Sequence, residues 1–300
     1  MINQGSIKLF APAKINLLLA VLGLRDDGFH ELVTIMHQIS LTDIVHLELS
    51  ALPGIRIHTT DPRLGDDESN LAYQSAARYL DLTGINQGVN ILIEKRIPLG
   101  AGLAGGSTDA AAVLKGMNQL HGQLLPAGQM YELAAHLGSD VPFCLLGGTA
   151  LAAGRGEKLT PLPVTGIPYL VLVKPAINIS TAKIYREWDR RGESCDPGFR
   201  EMMANLQAGD WEQIARSLYN SLEPITASWV PLVEQIKQRL QERGAQGVLM
   251  SGSGPTVFGL FKTAEAAEKA YIQFKDEYNE CYLVTSFRNQ SAGHYDGGEA

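Results

Sequence analysis

The chain has 300 residues, 45 % hydrophobic and 19 % charged, with a formal net charge of −7. This is globular composition, and enough chain for one large domain or two ordinary ones. The lack of a dense Lys/Arg block argues against nucleic acid as the partner, since a phosphate backbone demands a basic footprint. No apolar run is long enough to span a bilayer as a helix, and the first residues, Met1-Ile2-Asn3-Gln4-Gly5-Ser6, carry neither a basic run nor a signal-type apolar core, so a cytoplasmic protein is expected. Cys144, Cys195 and Cys281 are scattered and odd in number, which fits reduced, buried thiols better than a disulfide framework.

In chain order, residues 7–21 read as extended, and 35–41, 44–49 and 55–58 as further short strands. Residues 70–82 carry Leu71, Ser75, Ala76, Tyr79 and Leu80 at helical spacing, with Gly84 as the stop. A strand at 89–94 ends before Pro98, and an alanine-rich helix follows at 107–120. Residues 126–137 form a second helix, with Pro126 at its start and Gly138 beyond its end. Strands are expected at 148–153 and 169–173, then mostly helix from 182 to 243. Two strands, 247–251 and 256–261, flank a glycine-rich turn; a helix at 264–274 and a strand at 281–285 follow. The tail from Arg288 is polar and glycine-rich, and disorder is expected there. The prolines from Pro161 to Pro168 suggest a boundary between parts 1–163 and 164–300. Strands and helices do not simply alternate, so the fold class is α+β in two parts, not a doubly wound sheet.

The strongest local signal is Pro98-Leu99-Gly100-Ala101-Gly102-Leu103-Ala104-Gly105-Gly106-Ser107-Thr108-Asp109, which follows a strand and opens a helix. Glycines let successive backbone N–H groups converge on one anion, and a helix N-terminus adds unpaired N–H groups and a positive dipole end. Together they bind phosphate. No Lys-Ser or Lys-Thr follows the last glycine, so this is not a Walker A loop. Gly100-x-Gly102-x-x-Gly105 matches a dinucleotide fingerprint superficially, but a second helix stands where the next strand and its acidic residue belong. A plain strand-to-helix turn is the third reading; four glycines between 100 and 106 exceed what one turn needs. Ser107 is suited by type to cap the helix or to touch phosphate or Mg²⁺, and Asp109 to offset the dipole.

Lys14 and Asn16 share one strand face, and by simple alternation Leu18 and Ala20 continue it. Either that face is exposed or the two polar groups meet a phosphate or hydroxyl. Asp140, in Gly138-Ser139-Asp140-Val141-Pro142-Phe143, is either a cap or a general base. Ser251-Gly252-Ser253-Gly254-Pro255 reads as a hairpin turn or as a place of close backbone approach to a ligand. The seven histidines show no zinc spacing, and Gly28-Phe29-His30-Glu31 offers an aromatic-imidazole pair suited to a flat, hydrogen-bonding ligand.

Taken together, these segments resemble the superfamily of galactokinase, homoserine kinase and mevalonate kinase. Asp27-Gly28-Phe29-His30-Glu31-Leu32 and Gly154-Arg155-Gly156-Glu157 are similar to the branch acting on a diphosphocytidyl methylerythritol. The matching segments run in family order through nearly the whole chain. The resemblance implies an N-terminal domain like ribosomal protein S5 domain 2, a ferredoxin-like C-terminal domain, and a site between them. It implies transfer of the γ-phosphoryl of ATP, with Mg²⁺, to the 2-hydroxyl of that small-molecule substrate, by a monomer or weak homodimer. Asp140 would be the base, assisted by Lys14. Asn16, His30 and Thr181 would lie on the substrate side, with Phe29 and Tyr185 sandwiching the cytosine. Gly100, Ala101, Gly102, Leu103, Ala104, Gly105, Gly106 and Ser107 would hold the phosphates; Asn70, Lys95 and Leu99 would lie near the adenosine. Three positions depart from the family pattern: Phe29 replaces a tyrosine, Ser221 an aspartate, and Ala104 a loop glycine, the last requiring a negative φ.

Overall fold

A computed structural model of the chain describes residues 5–162, 169–192 and 197–287. Its frame is a hairpin of two very long antiparallel strands, β1 (Ser6–Leu24) and β2 (His30–Ser50). The chain continues through β3 (Ile55–Thr59), α1 (Leu71–Thr83), β4 (Gly88–Glu94), α2 (Gly105–Leu120), α3 (Ala127–Leu137), α4 (Val141–Leu146), β5 (Thr149–Gly154) and β6 (Lys158–Pro161). The second half comprises β7 (Tyr169–Lys174), α5 (Thr181–Arg191), α6 (Phe199–Ala208), α7 (Trp211–Arg216), β8 (Tyr219–Asn220), α8 (Glu223–Trp229), α9 (Leu232–Glu242), β9 (Gly247–Met250), β10 (Val257–Phe261), α10 (Ala264–Lys275) and β11 (Glu280–Val284).

The first sheet has the order β3-β4-β2-β1-β8, with β5 and β6 continuing from β2. Val45, Leu47, Ile91 and Ile93 pack beneath α1 and α2 through Ala72, Ala76, Tyr79, Ala110 and Leu114. Alanines on α2 allow this close approach: a Cβ at Gly116 would press on Leu47 and Leu9. The second sheet is antiparallel, in the order β11-β7-β10-β9. With α10 between β10 and β11, this is the split βαβ arrangement of ferredoxin-like folds. The sheets share a core: Ile15, Leu17, Leu18 and Ile39 belong to the same apolar cluster as Leu170, Leu172, Leu249 and Phe258. The halves are also stitched by backbone. β8 pairs parallel with β1, and Ser286 bridges to Ile39.

Residues 35–41 and 44–49 do not form two strands. They are one strand, because Asp43, polar and turn-like in sequence, is buried and bonded from outside the strand. The alanine-rich helix starts at Gly105, two residues early, so Ser107 lies inside its first turn and does not cap it. Ala104 is the N-cap, at φ 58° and ψ 32°, so the expected negative φ is wrong: an alanine holds a left-handed position here. Cys144 and Cys281 are buried as expected, while Cys195, the proposed boundary at 163/164 and the tail from Arg288 lie outside the described residues.

Candidate active site

The phosphate-loop segment, strand β1, the start of α4, α5 and the 251–254 turn border one cleft of about 380 Å³. Each element brings its group there for a local reason. Along β1 the register slips between Pro12 and Lys14 and again between Asn16 and Leu18. A bulge re-aims side chains and breaks alternation. Leu18 and Ala20 therefore do not continue the Lys14 face, and Lys14 and Asn16 sit on a short segment bracketed by bulges. Both are buried, at 5 % and 2 % exposure, so the exposed-face reading fails. Lys14 Nζ donates to Asn16 Oδ1 (2.8 Å), Asn16 Nδ2 donates to Thr34 Oγ1 (2.8 Å), and Thr34 Oγ1 donates to Leu18 O (2.7 Å). That chain fixes the lysine with its ammonium in the cleft.

Asp140 precedes α4, but its side chain makes no capping bond. Its Oδ2 lies 3.6 Å from Lys14 Nζ, and the carboxylate keeps 36 % exposure. A carboxylate beside an ammonium, open to the cleft, can accept a proton from a bound alcohol.

Gly100 and Gly102 take left-handed φ of 60° and 72°. At Gly102 the need is steric as well, because a Cβ there would meet the carbonyl oxygen of Ser251. Leu103 O accepts from Lys14 N (3.1 Å), which ties the loop to β1. The Ser251–Gly254 turn is thus a place of close backbone approach, to the phosphate loop itself, while Gly252 and Ser253 reach the cleft.

The cleft gathers Lys14, Asn16, Leu99, Gly100, Ala101, Gly102, Leu103, Ala104, Gly105, Gly106, Ser107, Asp140, Thr181 and Tyr185. Four expected site residues are not among those that line it. Asn70 caps α1, accepting from Ala72 N (3.0 Å) and donating to Gly65 O (3.0 Å). Lys95 turns inward behind the loop, paired with Asp43 and, at 2.8 Å, with Asp109. Desolvation makes such a charge untenable without partners, and two carboxylates supply them. Burial pushes the Asp109 carboxyl up to about 7, against the pull of Lys95. Phe29 is half-exposed at the hairpin tip, with the Arg155 guanidinium 4.7 Å from its ring centre. His30 lies against Tyr185 (centroids 4.6 Å apart) and its Nε2 is 2.8 Å from Asp189. Each ring of the expected Phe29/Tyr185 sandwich thus has one neighbour, the Arg155 guanidinium for Phe29 and the His30 imidazole for Tyr185. Thr34, Arg155, Gly156, Gly252 and Ser253 also line the cleft and were not among the expected site residues. The Gly-Arg-Gly and Ser-Gly-Ser-Gly segments were the signal that marked most of them.

Two family models match the chain: the GHMP kinases N terminal domain over residues 70–148 and the GHMP kinases C terminal over 202–280. Fold and cleft thus define a GHMP kinase, an ATP-dependent small-molecule kinase. The 4-diphosphocytidyl-2-C-methyl-D-erythritol kinase of Syntrophomonas wolfei is 48 % identical over 95 % of this chain and 99 % of its own. That of Bacillus pumilus is 43 % identical over 94 % and 97 %. A crystal structure of 4-(cytidine 5'-diphospho)-2C-methyl-D-erythritol kinase superposes with a TM-score of 0.81 at 35 % identity, covering 94 % of this chain and 100 % of that one. Homoserine kinase from Cytophaga hutchinsonii follows at 0.75 and 26 %, covering 97 % of each. The chain belongs to the 4-diphosphocytidyl-2-C-methyl-D-erythritol kinase family. No helix among the described residues is long and apolar enough to cross a membrane.

Proposed function

We propose that this chain transfers the γ-phosphoryl of ATP to the 2-hydroxyl of 4-diphosphocytidyl-2-C-methyl-D-erythritol, a step towards isoprenoid precursors outside the mevalonate route. The observation that carries the reading is the Lys14–Asp140 pair, 3.6 Å apart, in one cleft with the glycine loop. Asp140 takes the proton of the 2-hydroxyl as its oxygen bonds to the γ-phosphorus, and the bond from that phosphorus to the ADP oxygen breaks. Lys14, held by Asn16, steadies the charge that develops on the transferring group. The loop N–H groups and the start of α2 hold the remaining phosphate charge.

Among the described residues no cluster of His, Cys, Asp and Glu could hold a metal alone. Mg²⁺ binds through substrate phosphates with one or two protein oxygens. Ser107, on the cleft side of the first α2 turn, is the group within the cleft that would meet it. When bound, the metal supplies charge neutralisation across the phosphates. On the acceptor side, Tyr185 and Phe29 present faces to the cytosine, His30 reads its edge, and Asn16 and Thr181 border the alcohol. Adenosine would lie by Leu99. The enzyme would work in the cytoplasm as a monomer or weak homodimer, with no nucleic-acid partner.

ADP release measured in parallel with the cytidyl alcohol, homoserine and mevalonate tests the reading. Turnover is expected with the first alone, and preference for either of the others would refute it. Asp140→Asn should lower kcat by about 10²–10⁴ with little change in Tm, the usual worth of a general base. Near-normal turnover in that variant would remove Asp140 from the chemistry.

A further inference from the structure

The residues Asn220 to Glu223 stand outside the cleft, yet the structure spends several buried polar groups on them. Asn220 is 4 % exposed. Its Nδ2 donates to both Met250 O and Gly252 O, each at 2.8 Å, and its Oδ1 accepts from Leu222 N (2.9 Å). Every hydrogen of the carboxamide is thus committed to the two carbonyls that flank Ser251. Thr226 Oγ1 donates to Ser253 O (3.1 Å), and Glu223 Oε2 accepts from Met250 N (2.6 Å). The carbonyls of Met250, at the end of β9, and of Gly252 and Ser253, in the second glycine turn, are therefore held by Asn220 of β8 and Thr226 of α8. Asn220 is itself paired to Leu19 of β1, the strand that carries Lys14 and Asn16.

What the turn does with that rigidity is visible on its other side. Ser251 Oγ donates to Gly102 O (3.0 Å). A peptide is planar and trans, so its C=O and N–H point in opposite directions. Fixing the Gly102 carbonyl on Ser251 therefore fixes the Leu103 N–H the other way. The next peptide is pinned likewise, with Leu103 O on Lys14 N (3.1 Å), which sets the Ala104 N–H. A glycine at φ 72° can flip its peptide at little steric cost, and a flip would turn an oxygen, not an N–H, toward an anion.

We propose that Asn220 is a positioning residue for the phosphate loop. By holding the Met250 and Gly252 carbonyls it seats Ser251, and Ser251 locks the Gly102–Leu103 peptide in its anion-facing orientation. The inference rests on the reading of the cleft as an ATP site. It explains why an asparagine sits in a two-residue strand remote from the chemistry: both donors and the acceptor of one carboxamide are used at once.

The test is a double-mutant cycle on the full chain, Asn220→Ala with Ser251→Ala. The readouts are ADP affinity by titration calorimetry and Tm. Each single variant should weaken ADP binding by about tenfold. The double variant should also lose about tenfold and not a hundredfold, because both act through the same peptide. A merely structural role would lower Tm and leave the ADP affinity of the folded protein unchanged. If Asn220→Ala does not fold, Asn220→Ser, which removes the two amide donors and keeps a polar side chain, replaces it in the cycle. Unchanged ADP affinity in Ser251→Ala, or losses that multiply in the double variant, overturns the proposal. Failure of the parent protein to bind ADP would instead overturn the reading of the cleft.

Discussion

Replacing Gly102 with alanine should disable the loop, and the structure gives the size of the effect. Gly102 is at φ 72°, where an L-residue is strained by about 1–2 kcal/mol. The new Cβ would fall on the Ser251 carbonyl oxygen, with the Ser251 carbonyl carbon at 3.1 Å and Gly254 N at 3.3 Å. The 251–254 turn cannot retreat easily, since Asn220 and Thr226 hold its carbonyls from behind. The loop must therefore give way, by about 1 Å to restore ordinary contact. Overpacking of this kind costs about 1–3 kcal/mol, so the whole penalty is about 2–5 kcal/mol and the fall in Tm about 5–10 °C. A displacement of about 1 Å in a positioning element costs on the order of 10²-fold in turnover. Steady-state kinetics at saturating acceptor, with ADP titration and a thermal melt, measure all three. Turnover within threefold of the parent, with an unshifted melt, would show that the two turns do not constrain each other.

Ala104→Gly should act in the opposite direction. Relief of the left-handed alanine outweighs the added freedom of the unfolded chain, for a gain of about 0.5–1 kcal/mol in urea unfolding. Phe29→Ala should raise KM for the cytidyl alcohol by about tenfold, the worth of one base stack, and leave KM for ATP within twofold; equal effects on both would contradict the stacking role. His37 is fully buried between Thr149 Oγ1 (2.6 Å) and Ser286 Oγ (2.8 Å), and burial lowers its pKa from 6.5 to about 4. The unfolded chain then takes up the proton first, so stability is intact above pH 6.5 and is lost as pH falls from there towards 4. Unfolding free energy should drop by about 2 kcal/mol between pH 7.5 and pH 5, a drop that His37→Gln should largely abolish.

The loop was legible because its signal is local. Four glycines between a strand and an alanine-rich helix state a backbone geometry without help from the rest of the chain. The β1 bulges were not legible, because a slipped register leaves no mark in residue types; only pairing with β2 reveals that Lys14 and Asn16 leave the face of Leu18. Asp43 misled for the same reason. Its partners are Lys95 and the N–H groups of Arg96 and Ile97, more than fifty residues on, so a buried carboxylate looked like a strand break. The resemblance implies that Asn70 and Lys95 lie near the adenosine; in the structure Asn70 caps a helix and Lys95 is paired with two buried carboxylates, partners that residue type alone does not announce.

The fate of Lys95 bears on how a loop without its own lysine would hold a triphosphate. The cations that line the cleft are Lys14 and Arg155. Lys95 lies against the start of α2, since a Cβ at Gly105 would be 3.0 Å from its Nζ, but it is buried between Asp43 and Asp109. With Asp43 and Asp109 both ionised, the buried trio would place one net negative charge directly behind the phosphates. Burial opposes that charge and raises the Asp109 carboxyl, against the pull of Lys95. Asp43 meanwhile accepts from Arg96 N and Ile97 N, the residues that lead into the loop. The lysine thus serves as a foundation: it allows a buried carboxylate to anchor the loop's entry without opposing the ligand. The work of binding then falls to the backbone N–H groups and the α2 dipole, whose orientation depends on Gly102, Ser251 and Lys14 N.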